Sequence, residues 1–76
     1  MTEKRKLDLV RMIGNFRNSL DELSAIHEEE EAYMEELIED THEYEDTEEL
    51  IDELDEAVSH LEDLIDSLEE ALDIVV

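Results

Sequence analysis

Residues 46–76 are DTEELIDELDEAVSHLEDLIDSLEEALDIVV, and this stretch decides the fold. Its apolar residues recur at alternating steps of four and three, which is the spacing of one face of a helix. This first row consists of Leu50, Leu54, Ala57, Leu61, Leu64, Leu68, Ala71 and Val75. A second row, spaced by seven, lies beside it and consists of Ile51, Val58, Ile65 and Leu72. A stripe this wide is typical of a helical bundle rather than of a two-position coiled-coil seam.

The same spacing predicts an earlier helix in the first half of the chain. Its apolar row is Leu9, Ile13, Phe16, Leu20 and Leu23. The register continues through His27 and Glu30, so two polar residues are expected to face the other helix. Gly14 disfavours a helix interior by about 1 kcal/mol relative to Ala. A break between residues 14 and 19 is therefore the alternative to one continuous helix.

Charge and capping patterns divide the chain, which we expect to form a single domain. Residues 1–17 hold all five basic residues and two acidic ones, and they form the basic, apolar N-terminal segment of helix 1. Residues 18–41 form its acidic part. The sequence DTEE at 46–49 resembles a helix cap. We therefore place the turn at 42–46 and helix 2 at 47–75.

Folding the chain about this turn gives an all-α, antiparallel helical hairpin. In this pairing residues 1–13 extend beyond the end of helix 2 with their apolar side chains uncovered. They would either form a short third helix or pack on a second copy. A chain of 76 residues buries only about 60% of its unfolded surface, and no cysteine is present to form disulfides. We therefore expect a homodimeric helical bundle formed through Leu7, Leu9, Met12, Ile13, Phe16, Leu20 and Leu23.

Composition limits the partners and the compartment. The net charge is −22, from 27 acidic and five basic residues. Such a chain repels nucleic-acid phosphates and anionic lipids, so we expect a basic protein as partner and no direct binding to nucleic acid or membrane. The helical register and 41% hydrophobic content argue against disorder. No apolar run is long enough for a membrane span or a signal peptide, so a cytoplasmic protein is expected.

No motif indicates an enzyme, a cofactor or a dedicated metal site. The serines lack a nucleophile elbow, and no calcium-binding loop is present. Glu39 and His42 have the spacing of di-iron bundle ligands, but the other ligands of such a site are missing. His27 and Glu30 are better interpreted as a polar layer that fixes helix register, with a weak metal site as the alternative.

The acidic run itself is the strongest functional signal. Many carboxylates lie four residues apart on one helix, and each such pair destabilises a helix by about 0.2–0.5 kcal/mol. Solubility alone would be achieved by alternating Glu with Lys. The pattern therefore indicates a functional surface, with a plain solvated surface and adaptation to high salt as the alternatives.

In composition and helicity the chain resembles small acidic helical proteins with which phages block host nucleic-acid machinery, such as anti-CRISPR and anti-restriction DNA mimics. The resemblance implies an inhibitor that binds the nucleic-acid-binding surface of a basic host protein in the host cytoplasm. Carboxylates would then take the place of phosphates. They are Glu28, Glu29, Glu31, Glu35, Glu36, Glu39, Asp40, Glu48, Glu49, Asp52, Glu53, Asp55, Glu56, Glu62, Asp63, Asp66, Glu69 and Glu70.

A helical interaction module is the alternative to a mimic. Such a module would dimerise and would chaperone or neutralise a basic partner. The two functions differ in competition, because nucleic acid must displace a mimic but need not displace a chaperone that binds an apolar face.

Overall fold

The structure, a computed structural model that describes residues 1–75, consists of two helices packed against each other. Helix α1 spans Glu3–Glu35 and helix α2 spans His42–Val75, with a connection at residues 36–41. Together they form a rod with dimensions of 55 × 15 × 13 Å. The expectation of an all-α fold is confirmed, since 89% of the described residues are helical and none lies in a strand.

The first helix starts at Glu3 because Thr2 caps it. The Thr2 hydroxyl accepts a hydrogen bond from the Arg5 backbone N–H at 3.2 Å, which satisfies an amide that the first turn leaves unpaired. From there α1 runs through Gly14 as one helix, and the alternative of a break between residues 14 and 19 is not adopted.

The connection lies earlier than predicted, at residues 36–41 instead of 42–46. Amides at its start donate to the carbonyls of Tyr33 and Met34, which closes the last turn of α1. Asp40 then takes a left-handed backbone conformation with φ of 67°. Asp adopts that conformation more readily than most residues do, so the chain reverses without Gly or Pro.

Thr41, and not Asp46, caps α2. The Thr41 hydroxyl accepts a hydrogen bond from the Tyr44 N–H at 3.2 Å and donates one to the Ile38 carbonyl at 2.8 Å. Asp46 and Thr47 lie within α2, and Thr47 is buried. Thr41 caps α2 in preference to Asp46 because the Thr41 hydroxyl bonds to residues on both sides of the junction between the connection and α2.

The two helices are therefore matched in length, with 33 and 34 residues. Within residues 1–75, polar contacts join them along the rod between Tyr33 and Glu43, His27 and Asp55, and Arg17 and Glu69. The predicted pairing, which placed residue 27 near residue 62, was shifted by the misplaced turn. The overhang of residues 1–13 and the short third helix are wrong for the same reason.

The contact between the helices uses the second row of the sequence pattern together with only part of the first row. Ile65 is buried, whereas Leu50 and Leu64 remain exposed. The α2 residues that are buried or half-buried towards α1 are Thr47, Ile51, Leu54, Val58, Leu61, Ile65, Leu68 and Leu72. The core thus centres on the second row, because the wide stripe contains two overlapping faces and α1 covers only one of them.

Most of the residues predicted to form a dimer interface face α2 within one chain. Ile13 is buried, and Leu9, Phe16, Leu20 and Leu23 are half-buried between the helices. The other two residues of that set, Leu7 and Met12, are exposed. Five of the seven residues therefore pack within one chain, and dimerisation through this set stays a prediction.

Gly14 offers a direct test of helix stability. It lies on the exposed surface of α1, and a Cβ added there would meet no other atom within 4 Å. We expect Gly14→Ala to raise the free energy of unfolding by about 0.5–1 kcal/mol, because Ala loses less backbone entropy in a helix. Urea unfolding would measure this, with Ala25→Gly at an exposed site of the same helix as the converse control. An unchanged or lower value for Gly14→Ala would contradict it.

Candidate partner-binding surface

Charge is distributed unequally along the rod. We call residues 20–65 the acidic half, since they surround the connection and contain 21 acidic and no basic residues. The neutral half consists of residues 1–19 and 66–75, with five basic and six acidic residues and a net charge of −1. The boundary crosses α1 near its middle, after Ser19, and crosses α2 about two thirds of the way along, after Ile65. Nearly all of the net charge is therefore concentrated at one end.

The charge density of the acidic half is similar to that of DNA. On α2 it extends from His42 to Ile65, which is about 36 Å at 1.5 Å per residue, so its 21 charges amount to about 0.6 per Å, the same as about 0.6 per Å for duplex DNA with one phosphate charge per 1.7 Å. Both helices and the connection contribute to this density. A basic groove that accepts a nucleic acid would thus meet a comparable field.

The structure brings most of the predicted partner-binding residues to this end. Fifteen of the eighteen belong to the acidic half, and all fifteen are exposed. Asp66, Glu69 and Glu70 lie in the neutral half instead, and Glu69 is half-buried and paired with Arg17. Glu36, Glu39 and Asp40 were predicted on helix 1 but lie in the connection. Glu43, Glu45 and Asp46 are further exposed carboxylates at this end, which sequence reasoning missed by assigning them to the turn.

His27 lies at the contact between the helices, as its register predicted. Its side chain is 19% exposed, with Nδ1 at 2.8 Å from Glu31 Oε1 and Nε2 at 4.0 Å from Asp55 Oδ1. Glu30, the other predicted member of the polar layer, is half-buried, and His60 is exposed on α2. The polar layer therefore consists of His27 with carboxylates from both helices.

Replacing His27 by Leu should stabilise the fold. Burying a Leu side chain contributes about 1.5–3 kcal/mol, while the lost polar contact of His27 with Glu31 costs about 1 kcal/mol. We therefore expect His27→Leu to raise the free energy of unfolding by about 1 kcal/mol in urea unfolding. The control is His60→Leu at an exposed position of α2, which should change it by less than about 0.5 kcal/mol. A destabilised His27→Leu would mean that the polar layer contributes more than an apolar contact would.

Tyr33 links the two helices beside the connection. Its hydroxyl donates a hydrogen bond to the Glu43 carboxylate. This hydrogen bond, with desolvation and the negative charges of Glu43, Glu30 and Glu36, raises the pKa of Tyr33 above the ordinary value of 10. The phenol therefore keeps its proton at neutral pH, and the hydrogen bond is retained there.

Other kinds of site have little support in the part of the chain that the structure describes. Across residues 1–75 no three His, Asp or Glu side chains are arranged to hold a metal ion, and these residues enclose no pocket. Neither α1 nor α2 contains a stretch apolar enough to cross a membrane.

Comparisons with known proteins give no information on the function of the acidic half. No protein-family model matches the chain, and no curated protein and no solved structure matches it.

Proposed function

We propose that this protein is an acidic, nucleic-acid-mimicking inhibitor of the phage anti-defence type, as anti-CRISPR and anti-restriction proteins are. It binds the nucleic-acid-binding surface of a basic host protein in the host cytoplasm and blocks it stoichiometrically, without catalysis. The observation that carries the proposal is the DNA-like charge density of the acidic half. A surface whose role is solubility alone has no need for 21 carboxylates without a single cation.

In this proposal the fold is an antiparallel helical hairpin that acts as a rigid frame for the charges. Polar contacts near the connection, at the middle and towards the far end support this arrangement. Carboxylates on adjacent turns of a helix lie about 5–6 Å apart. A basic groove therefore meets charges at fixed positions, and little entropy is lost on binding because the frame is already ordered.

Binding would depend on many carboxylates together. Long-range attraction between the acidic half and a basic groove speeds the encounter, and this attraction weakens as the Debye length shrinks from about 30 Å at 0.01 M to about 10 Å at 0.1 M salt. Single Glu→Gln changes each remove about 0.2–1 kcal/mol at an exposed ion pair. Loss of binding therefore requires several simultaneous changes.

Capture of partners from a bacterial lysate tests the proposal. The immobilised protein is incubated with lysate treated with nuclease, and bound proteins are eluted with a DNA duplex or with an uncharged polymer at matched concentration. We expect basic nucleic-acid-binding proteins that the duplex elutes and the polymer does not. If the captured proteins resist the duplex, the mimic proposal fails.

Exposed apolar side chains favour a second candidate, an interaction module that chaperones or neutralises a basic partner. Met12, Ile26, Leu50 and Leu64 are each at least 40% exposed on the two helices. A chaperone that bound through these residues would keep its partner in the presence of duplex DNA. Substitution of Leu50 and Leu64 by Ser would then release the partner, while charge changes would have little effect.

A further inference from the structure

One side of the rod is apolar along both helices. In α1, the residues at 12, 19, 26 and 33 form a row spaced by seven, and in α2 the residues at 43, 50, 57, 64 and 71 form another. The hydrogen bond from Tyr33 to Glu43 joins a member of each row, so both rows flank the helix contact on the same side. We call this the apolar side; its large exposed residues are Met12, Ile26, Tyr33, Leu50 and Leu64.

The opposite side of the helix contact is charged. The pairing of Arg17 with Glu69 joins the rows that flank the contact there. In α2 that row is entirely acidic, with Glu48, Asp55, Glu62 and Glu69. Val10 lies in the corresponding row of α1, and Ile38 continues the spacing of that row in the connection; both are large exposed apolar residues. Apolar exposure along the middle of the rod is thus confined to one side.

The extent of the apolar side fits an interface between proteins. Its five large side chains are all 40–47% exposed, which is the degree of exposure expected for rows that flank a contact and remain uncovered. The whole side of the rod measures 55 by 15 Å, close to the roughly 800 Å² that each partner buries in an interface of standard size, and its large apolar residues occupy about 32 Å of that length, from Met12 to Tyr33. Large and small residues alternate in α2, where Leu50 and Leu64 are separated by Ala57. Such alternation lets facing layers interdigitate.

Charge determines how a second copy could cover this side. With the connections at the same end, two acidic halves would lie together and oppose 21 negative charges with 21. In the head-to-tail orientation the part of each acidic half near the connection lies on a neutral half of net charge −1, and the two acidic halves overlap only in the middle of α2. Repulsion is therefore far weaker head-to-tail, and the positive segment 1–17 of each copy lies over the acidic end of α1 in the other.

We propose that two copies pack head-to-tail through their apolar sides to form a four-helix bundle with two-fold symmetry. Ser19, at the middle of α1, then lies at the symmetry axis, and residue i of α1 faces residue 38 − i of its counterpart. Arg5, in the same row as Met12, lies opposite the partner's Tyr33, between the partner's Glu29 and the partner's Glu36. This dimer does not depend on the proposed function, and it displays one acidic half at each end of the bundle.

Sedimentation equilibrium at rising salt tests the dimer. Two chains of net charge −22 repel each other, so the dimer should tighten from about 0.05 to about 0.5 M NaCl as screening increases. Binding to a basic partner should weaken over the same range, which separates the two associations. A chain that stays monomeric at micromolar concentration throughout this range would overturn the proposal and leave the apolar side to another partner.

A matched pair of double variants locates the interface. Ile26→Ser with Leu64→Ser removes two large residues from the apolar side, and Val10→Ser with Ile38→Ser removes two from the charged side. Each change occurs twice in the dimer, so the first pair should weaken dimerisation by about 100-fold or more, and the second pair by less than about fivefold. All four positions are exposed, and circular dichroism checks that the hairpin stays folded. Equal weakening by the two pairs would exclude the proposed interface.

Cross-linking tests the orientation independently. The chain has no cysteine, so Ser19→Cys introduces a single thiol at the proposed symmetry axis. Mild oxidation should join two copies of this variant by a disulfide. Ser59→Cys, at an exposed site of α2 away from the apolar side, is the control. If Ser59→Cys cross-links as fast as Ser19→Cys, the head-to-tail arrangement is wrong.

Discussion

Reversing four charges in the acidic half is expected to remove partner binding while leaving the fold intact. The variant changes Glu49, Asp52, Glu53 and Glu56 to Lys, and all four residues are exposed on α2. Each reversal loses an attraction of about 0.2–1 kcal/mol and adds a repulsion of similar size. Four reversals therefore cost about 2–8 kcal/mol, which lowers affinity by at least about tenfold and in the upper range beyond detection.

A second quadruple variant makes the same change in net charge at the other end of the rod. Glu3, Asp66, Glu70 and Asp73 lie in the neutral half and are exposed, and their reversal to Lys should alter affinity by no more than a few-fold. Affinity for a captured partner is measured by fluorescence anisotropy, and helicity by circular dichroism. If both variants lose affinity equally, net charge matters more than the position of the acidic half. If the first variant keeps full affinity and helicity, that part of α2 is only a solvated surface.

Thermal stability is expected to rise strongly with salt. Eight like-charge pairs four residues apart lie wholly within the helices, and each destabilises its helix by about 0.2–0.5 kcal/mol. They are Glu31 with Glu35, Glu45 with Glu49, Glu48 with Asp52, Glu49 with Glu53, Asp52 with Glu56, Glu62 with Asp66, Asp66 with Glu70, and Glu69 with Asp73. Screening them stabilises the fold by about 2–4 kcal/mol, which raises the melting temperature of a domain of this size by about 10–30 °C.

Circular dichroism at fixed protein concentration measures this between about 0.01 and about 1 M NaCl, over which the Debye length falls from about 30 to about 3 Å. The Glu49, Asp52, Glu53 and Glu56 reversal serves as the control, because it makes the pairs of Glu45 with position 49 and of Glu48 with position 52 attractive, while the pairs 49/53 and 52/56 stay like-charged. Its melting temperature should depend less on salt. A flat response of the original chain would mean that the repulsion between carboxylates is already relieved at low salt.

The sequence predicted two packed helices because the four-and-three spacing allows few other structures. It did not locate the connection, since a capping pattern at 46–49 competes with Thr41. The choice depends on hydrogen bonds from the Thr41 hydroxyl to Ile38 and Tyr44, and spacing does not reveal these. That error of a few residues shifted the pairing and created the apparent overhang of residues 1–13.

The sequence also predicted the wide apolar stripe of α2, but it did not show which face of this stripe packs on α1. The row with Ile51, Val58 and Ile65 faces α1, while Leu50 and Leu64 stay exposed. Periodicity alone does not distinguish the two rows, and the position of α1 determines which row is buried. The acidic residues were found directly from the charge run, whereas their concentration in one half follows from the pairing of α1 with α2.

Competition with nucleic acid for a captured partner tests the mimic most directly. The partner is bound to labelled protein at low salt, and an unlabelled DNA duplex is titrated while anisotropy is followed. A mimic predicts full displacement, with an inhibition constant equal to the affinity of the partner for that duplex. A ternary complex in which the partner holds the duplex and this protein together would contradict it.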